Sequence, residues 1–262
     1  EAVLASWRRG AKVRGTGPED VEAWRYAVAV VSHCRAQVAT DVAVRRLSAQ
    51  LTGDSKRVEQ LSAPIDVLIQ GEVAAPVRDP EDAFNELGLV KFPPTFLISG
   101  ALQVRVGDQQ VPIDAPYLGF PPSAITAFAS CETVAVLLTV ENLTTFHELV
   151  GQRQHMPAAV LLYTGGMPSP SWKRVYRLLL TSLPVEARVF HWGDIDAGGF
   201  RIADHLAACA GEVGRRVELH AMSPDVERLD SVSSRRALAD AEVSMIEKLC
   251  ARWNWDAPAR WV

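Results

Sequence analysis

Two kinds of hydrophobic patterning divide the chain. Over the first third, apolar residues recur at helical spacing between polar ones. From Glu132 onward, short and nearly continuous apolar runs alternate with amphipathic stretches. In the first third, Thr16-Gly17-Pro18-Glu19 reads as a capping box opening a helix that carries Trp24, Tyr26 and Val30 and ends near Cys34. Thr40 is placed to cap a second helix, with Val44, Leu47 and Leu51 on one stripe and Gly53 at its end. Ser55 is placed to cap a third, short helix with Val58 and Leu61 inward, and Pro64 stops it. Short helices around a glycine-containing turn predict a helix-turn-helix or winged-helix unit over residues 1–75.

Residues 70–94 hold Pro76, Pro80, Pro93 and Pro94 and read as a connection. Segments 95–106 and 111–113 flank Gly107-Asp108 and predict a strand–turn–strand, a suitable wing, within a joining segment 76–131. The unit that follows, 132–230, predicts strands at 133–140, 158–163, 187–192 and 217–221. Helices at 143–152, 171–183 and 200–210 separate them, the second started near Ser169-Pro170. Unbroken apolar runs mark strands covered on both faces, so the fold class is α/β, a small parallel sheet flanked by helices. A last segment, 231–262, carries an amphipathic helix over 234–253 whose packing partner is not readable.

Two of these strands end in carboxylates. Glu141 follows the first, and Gly193-Asp194-Ile195-Asp196-Ala197-Gly198-Gly199 follows the third. Functional groups on open α/β sheets gather beyond the carboxyl ends of the strands, so Glu141, Asp194 and Asp196 converge if those strands are neighbours. Residues i and i+2 at a strand end point the same way, which lets the two aspartates face one cation. Mg²⁺ or Mn²⁺ takes such oxygen ligands and suits phosphodiester chemistry by stabilising charge on phosphoryl and leaving oxygens. Glu141 is then a further ligand or a general acid/base. Gly198 and Gly199 open a helix whose N-terminus and bare backbone favour a phosphate, and Gly165-Gly166 could line the same rim. A lone Asp-x-Asp is usually a cap or turn; Glu141 and the glycine pair are what raise this one above that reading. His147 and Glu148 read as surface residues and His191 as a packed core histidine. There is no G-x-S-x-G elbow and no Walker A loop.

Composition changes this picture in few places. A length of 262 residues predicts two units, and a net charge of −4 confines nucleic-acid contact to local clusters or to a neutralising metal. Arg45, Arg46, Lys56 and Arg57 gather about the Gly53 turn as candidate DNA-binding residues, the alternative being a solvated surface. Arg8, Arg9, Lys12 and Arg14 form a second basic cluster, a solvated end or a phosphate-contacting arm. The four cysteines have no zinc spacing and read as free thiols of a reducing cytoplasm. No apolar run predicts a membrane span, and no signal peptide is visible. The chain begins at Glu1 without methionine, which predicts a fragment of a longer protein.

The glutamate after one strand and Asp-x-Asp after another resemble the Toprim domain of topoisomerases, primases and related nucleases. "LTVENLTTF", "YTGGMPSPSW", "HWGDIDAGGFRIADHL" and the upstream "LTGDSKRVEQL" together resemble the C-terminal part of the JetD family, over roughly residues 40–220. Members of that family are nuclease components of Wadjet plasmid-defence systems, related to the A-type subunit of topoisomerase VI. The resemblance implies a winged-helix, CAP-like DNA-binding domain ahead of a Toprim domain holding Mg²⁺ or Mn²⁺ through Glu141, Asp194 and Asp196. It also implies a homodimer cutting double-stranded DNA, partnered by an SMC-like ATPase complex that selects closed circular DNA. The A-type subunit of topoisomerase VI carries a nucleophilic tyrosine in its winged helix, whereas residues 41–51 hold none and Tyr26 lies in the preceding helix. Hydrolysis by a metal-activated water is therefore expected. The alternatives are a topoisomerase VI-like transesterase and a non-catalytic DNA-binding protein.

Overall fold

The computed structural model describes residues 1–37, 40–113, 116–222 and 238–256. The chain divides by its packing into two units, residues 1–93 together with Ser169–Ser171, and residues 94–168 together with 172 onward.

The first unit contains α1 (Ala2–Arg8), α2 (Val21–Ala36), β1 (Val42–Ala43), α3 (Val44–Thr52), α4 (Ser62–Gln70), α5 (Pro80–Glu86) and β2 (Leu89–Val90). Its core joins Ala27, Val30 and Val31 of α2 to Leu47, Val58, Leu61 and Ile65. The first two predicted helices are present as α2 and α3, whereas the third is a 3-10 turn over Val58–Leu61 that Ser55 does not cap, and four further local corrections apply. Thr16 is no cap: its hydroxyl donates to the Val13 carbonyl, and Asp20 accepts the Gly17 amide at 2.9 Å in the capping box of a 3-10 turn, Pro18–Asp20, that precedes α2, while Glu19 pairs with Lys12. Thr40 does not cap α3, which follows directly on the two-residue parallel ladder of β1 with β2. Pro64 stops nothing. It is the third residue of α4, where a missing N–H has no helical partner to lose. The supposed connection 70–94 contains α5, capped by the Asp79 side chain and started by Pro80.

The unit is closed by buried charge. Asp66, 3% exposed, accepts from Arg14 at 2.9 Å and Arg78 at 2.5 Å, and Arg78 also pairs with Glu86. The basic N-terminal cluster is therefore split, with Arg14 structural and Lys12 engaged by Glu19. Residues Ser169–Ser171 belong here through the Asp41 carboxylate, which accepts from the Ser169 hydroxyl at 2.9 Å and the Ser171 amide at 3.2 Å.

The second unit contains β3 (Phe96–Ser99), β4 (Gln103–Val106), β5 (Gln109–Pro112), β6 (Leu118–Phe120), β7 (Ile125–Ala129), β8 (Val136–Val140), α6 (Leu143–Gly151), β9 (Ala159–Tyr163), α7 (Pro170–Ser182), β10 (Arg188–Trp192), α8 (Ala197–Gly211), β11 (Val217–Leu219) and α9 (Asp240–Trp253). Its main sheet has the order β11-β10-β8-β9-β3-β6. The first four strands are parallel, β3 runs antiparallel to β9, and β6 antiparallel to β3. One face is covered by α7 and α8, whose Trp172, Tyr176, Leu179, Phe200 and Leu206 pack with Leu137, Val160 and Val189 of the sheet. Phe146 and Val150 of α6 cover the opposite face against Leu138, Val140 and Leu161. The strands between the two layers are apolar on both sides, as their sequence demands.

The hairpin of β4 and β5 turns at Gly107, with φ 58°, as the glycine predicts. It lies in this second unit, in a three-stranded antiparallel sheet with β7, and not with the helices of the first. Helix α9 buries Ile246 and Cys250 in the same core as α8, and Trp253 donates to Asp204 of α8 at 2.6 Å. That is the packing partner which the pattern of α9 alone does not reveal; the start expected at 234–237 lies outside the described residues.

Candidate functional site

Strand order decides where the carboxylates meet. From β8 the chain leaves through α6 to β9 on one side, whereas from β10 it leaves through α8 to β11 on the other. Strands β8 and β10 are hydrogen-bonded neighbours, with Val140 beside Trp192. Their carboxyl ends therefore flank the crevice where the winding of the sheet reverses, which is where open α/β sheets bind ligands. Glu141 follows β8 and Asp194 stands two residues after β10.

The two are linked directly. The Glu141 amide donates to the Trp192 carbonyl at 3.0 Å, and its carboxylate Oε2 accepts from the Asp194 amide at 2.9 Å. Gly193 makes this approach possible: a Cβ there would stand 2.9 Å from Glu141 Oε2 and 2.7 Å from His191 Nε2. Asp196 has a second task. It is the N-cap of α8, and its Oδ1 accepts the Gly199 amide at 2.9 Å. The segment from Gly193 to Asp196 is a loop and not a strand continuation, so the alternation expected for Asp194 and Asp196 is replaced by cap geometry. The Asp194 carboxyl lies above the ordinary carboxylate range, first because neighbouring protein desolvates it and then because of the Asp196 charge.

Among the described residues, no group of three or more His, Cys, Asp or Glu side chains is gathered closely enough to hold a metal ion. What the structure brings together is the Glu141 carboxylate and the Asp194 backbone amide, with the Asp196 charge close enough to be felt by the Asp194 carboxyl. Carboxylate oxygens are the donor type that Mg²⁺ and Mn²⁺ take, ions that keep several waters and draw further ligands from phosphate.

The glycines separate into two roles. A Cβ on Gly199 would stand 2.1 Å from the Asp194 carbonyl oxygen, so Gly199 is required by backbone packing. A Cβ on Gly198 would meet only Asp196 Oδ1, at 3.1 Å. Gly165 and Gly166 follow β9 with φ 68° and 85°, a left-handed turn beside the end of β8.

Two neighbours are not evident from the sequence. Tyr163 ends β9 beside Val140, and its phenol is pushed up by burial and then by the charge of Glu141. His191, expected to be a packed histidine, is wholly buried, and burial brings it down to about 3. Its Nδ1 meets the Thr139 hydroxyl at 3.0 Å, but its Nε2 has no hydrogen-bond partner among the described residues. The signal for both is the register of β8 with its neighbours, which places Tyr163 and Thr139 close to the carboxylate rim.

The four candidate DNA-binding residues lie in the first unit, on α3 and the turn after it. Arg45 and Arg46 are exposed on α3, with Arg45 3.5 Å from Glu59. Lys56 is exposed in the turn, and Arg57 is half-buried and donates to Gln60. His147 and Glu148 are exposed on α6, as expected. All four cysteines are free and buried. No helix among the described residues is long and apolar enough to cross a membrane.

These features define an α/β protein with acidic residues, Glu141, Asp194 and Asp196, at the switch point of a mostly parallel sheet. The family described as "Wadjet protein JetD, C-terminal" matches residues 99–251, more than half of the chain, and the chain belongs to that family. A stretch of 73 residues, 27% of the chain, is 30% identical to the Wadjet protein JetD of Bacillus cereus (strain Q1), and covers 17% of that relative's length.

Proposed function

We propose that the chain is a divalent-metal-dependent endonuclease component that cleaves double-stranded, closed circular plasmid DNA in a Wadjet defence system. In this reading the second unit is a Toprim domain and the first a winged-helix, CAP-like DNA-binding unit. The observation that carries it is the contact of the Glu141 carboxylate with the Asp194 backbone amide at 2.9 Å, at the carboxyl ends of neighbouring parallel strands. Family membership supplies the setting.

When bound, Mg²⁺ or Mn²⁺ would polarise a phosphoryl oxygen and stabilise the departing 3′ oxygen. Glu141 and Asp194 are the residues to hold it, with Asp196 adding charge. The Gly193 turn keeps Glu141 and the Asp194 backbone in contact, and the N-terminus of α8 presents Gly198 toward phosphate. Arg45, Arg46, Lys56 and Arg57 supply phosphate contacts from the first unit.

Water as the nucleophile, and not a tyrosine, is favoured by the state of all four tyrosines. Tyr26 packs against the core of the first unit, Tyr117 meets Phe146 edge to face, and Tyr176 is wholly buried. Tyr163 is nearest the carboxylates, but burial and Glu141 push its phenol up, away from the phenolate a transesterase needs. The protein would act in the cytoplasm as a homodimer with an SMC-like ATPase complex. The test is cutting of supercoiled plasmid with that complex and Mn²⁺. Cutting should vanish in Glu141→Ala and Asp194→Ala proteins, and cutting retained by either would remove the assignment. A covalent protein–DNA adduct lost in a tyrosine variant would favour the transesterase instead.

A further inference from the structure

His191 has no role in the carboxylate reading, yet its surroundings are specific. The Thr139 hydroxyl donates its one hydrogen to the Phe190 carbonyl at 3.0 Å, so it meets His191 Nδ1, also at 3.0 Å, as an acceptor. Nδ1 therefore carries the imidazole hydrogen and Nε2 the lone pair. That lone pair is buried and has no hydrogen-bond partner among the described residues. It faces Gly193, where an added Cβ would stand 2.7 Å from Nε2 and 2.9 Å from the Glu141 oxygen that accepts the Asp194 amide. Buried polar atoms nearly always find a partner, so one left without it beside a functional turn has a reason to be there.

We propose that His191 is a positioning residue of the carboxylate site. Held in one tautomer by Thr139, it turns an acceptor edge and not an N–H toward the Gly193 turn, which leaves the Glu141 carboxylate to the Asp194 amide and to a cation. An N–H in the same place would compete for Glu141 Oε2 and offset the charge that attracts the cation. The inference rests on reading Glu141 and Asp194 as cation ligands. Groups that orient metal ligands from behind change affinity about 10- to 100-fold when removed.

The test is Mn²⁺ and Mg²⁺ titration calorimetry on the full chain, with thermal melts and nitrogen NMR of the imidazole. His191→Leu removes an unpartnered acceptor, so its melting temperature should match or exceed that of the wild type, while its Mn²⁺ affinity falls about 10- to 100-fold. His191→Gln, whose amide oxygen reaches the position of Nε2, should recover most of that loss. Thr139→Val keeps the β-branched shape but frees Nδ1. It should show the Nε2–H tautomer and weaker Mn²⁺ binding, and it carries the test if His191→Leu does not fold. Unchanged Mn²⁺ affinity in His191→Leu or Thr139→Val, with binding lost in Asp194→Asn, would overturn the role of His191 alone. A wild type that binds neither ion, or an Asp194→Asn protein that binds as well as the wild type, would remove the ligand reading and this inference with it.

Discussion

Replacing Gly199 by alanine asks whether the start of α8 must touch the backbone of Asp194. The added Cβ would stand 2.1 Å from the Asp194 carbonyl oxygen, 2.8 Å from its nitrogen and 3.0 Å from its carbonyl carbon. No flexible side chain can give way, because all three are backbone atoms. The segment is also pinned at both ends, by the Asp194 amide on Glu141 and the Gly199 amide on Asp196. Opening the shortest contact from 2.1 Å to about 3.3 Å, an ordinary carbon–oxygen approach, moves one backbone past the other by about 1.2 Å. Overpacking of this kind costs about 1–3 kcal/mol, and each kcal/mol lowers the melting temperature of a unit this size by about 2–4 °C. Gly198→Ala is the internal control. Its Cβ meets only the end of the Asp196 side chain at 3.1 Å, and alanine in a helix gains up to about 1 kcal/mol over glycine. Calorimetric melts and Mn²⁺ titration of the two variants should therefore diverge, with Gly199→Ala losing both stability and ion affinity and Gly198→Ala keeping both. Equal melting of Gly199→Ala and wild type, or a larger loss in Gly198→Ala, would refute the close-packed start of α8.

Asp66→Ala leaves Arg14 and Arg78 buried without their carboxylate and should cost about 3–5 kcal/mol in denaturant unfolding of the first unit; a loss no larger than that of a surface substitution would contradict the network. Because the Asp194 carboxyl is raised, the folded chain holds that proton more tightly than the unfolded chain, and stability falls as pH rises through the raised value. Asp194→Asn should accordingly raise the melting temperature of the metal-free protein at neutral pH while abolishing Mn²⁺ binding, and a lowered melting temperature would count against the crowded charge. His191 is brought down to about 3, so the unfolded chain takes up a proton that the folded chain refuses. Stability is complete above the unfolded value of about 6.5 and declines below it, at up to about 1.4 kcal/mol per pH unit; His191→Leu should flatten urea-melt stability between about pH 6 and pH 4, and an unaltered slope would show another group at work. Asp196→Asn retains the cap acceptor and should melt with the wild type, whereas Asp196→Ala should lose about 1 kcal/mol; weaker Mn²⁺ binding in both would assign Asp196 to the cation, and unchanged binding in Asp196→Asn would leave it to the helix.

The part of the fold built from local pattern was legible. Strands β8, β9 and β10 are continuous apolar runs, and their ends fall within three residues of those expected, because burial on both faces leaves little room for polar residues. Helix α6 begins where Asn142 can cap it, by accepting the Thr145 amide. What escaped depends on pairing at a distance. Strands β3 and β6 join the sheet antiparallel, far from the parallel strands in sequence, and nothing in the Pro-rich flanks says which strand they will meet. Pro64 and Pro80 misled in the same way: proline reads as a stop, yet the first helical turn tolerates it because its N–H groups have no helical partners.

The site was legible to the same depth. Residue types and strand ends pointed to Glu141 and Asp194, but their meeting required β8 and β10 to be neighbours, a fact of strand order and not of spacing. The roles of their neighbours lay deeper still. The histidine inside an apolar run is packed as its pattern reads, and only the register sets it opposite Thr139; that the helix start engages one Asp196 oxygen is likewise not visible in the spacing. Each acid is held by a backbone amide, Glu141 by that of Asp194 and Asp196 by that of Gly199. A carboxylate oriented by a backbone N–H keeps its charge and its direction. In the proposed reading, the burial and then the Asp196 charge that raise Asp194 are what an arriving cation would relieve, so the strain of the rim and the affinity of the site would have one origin.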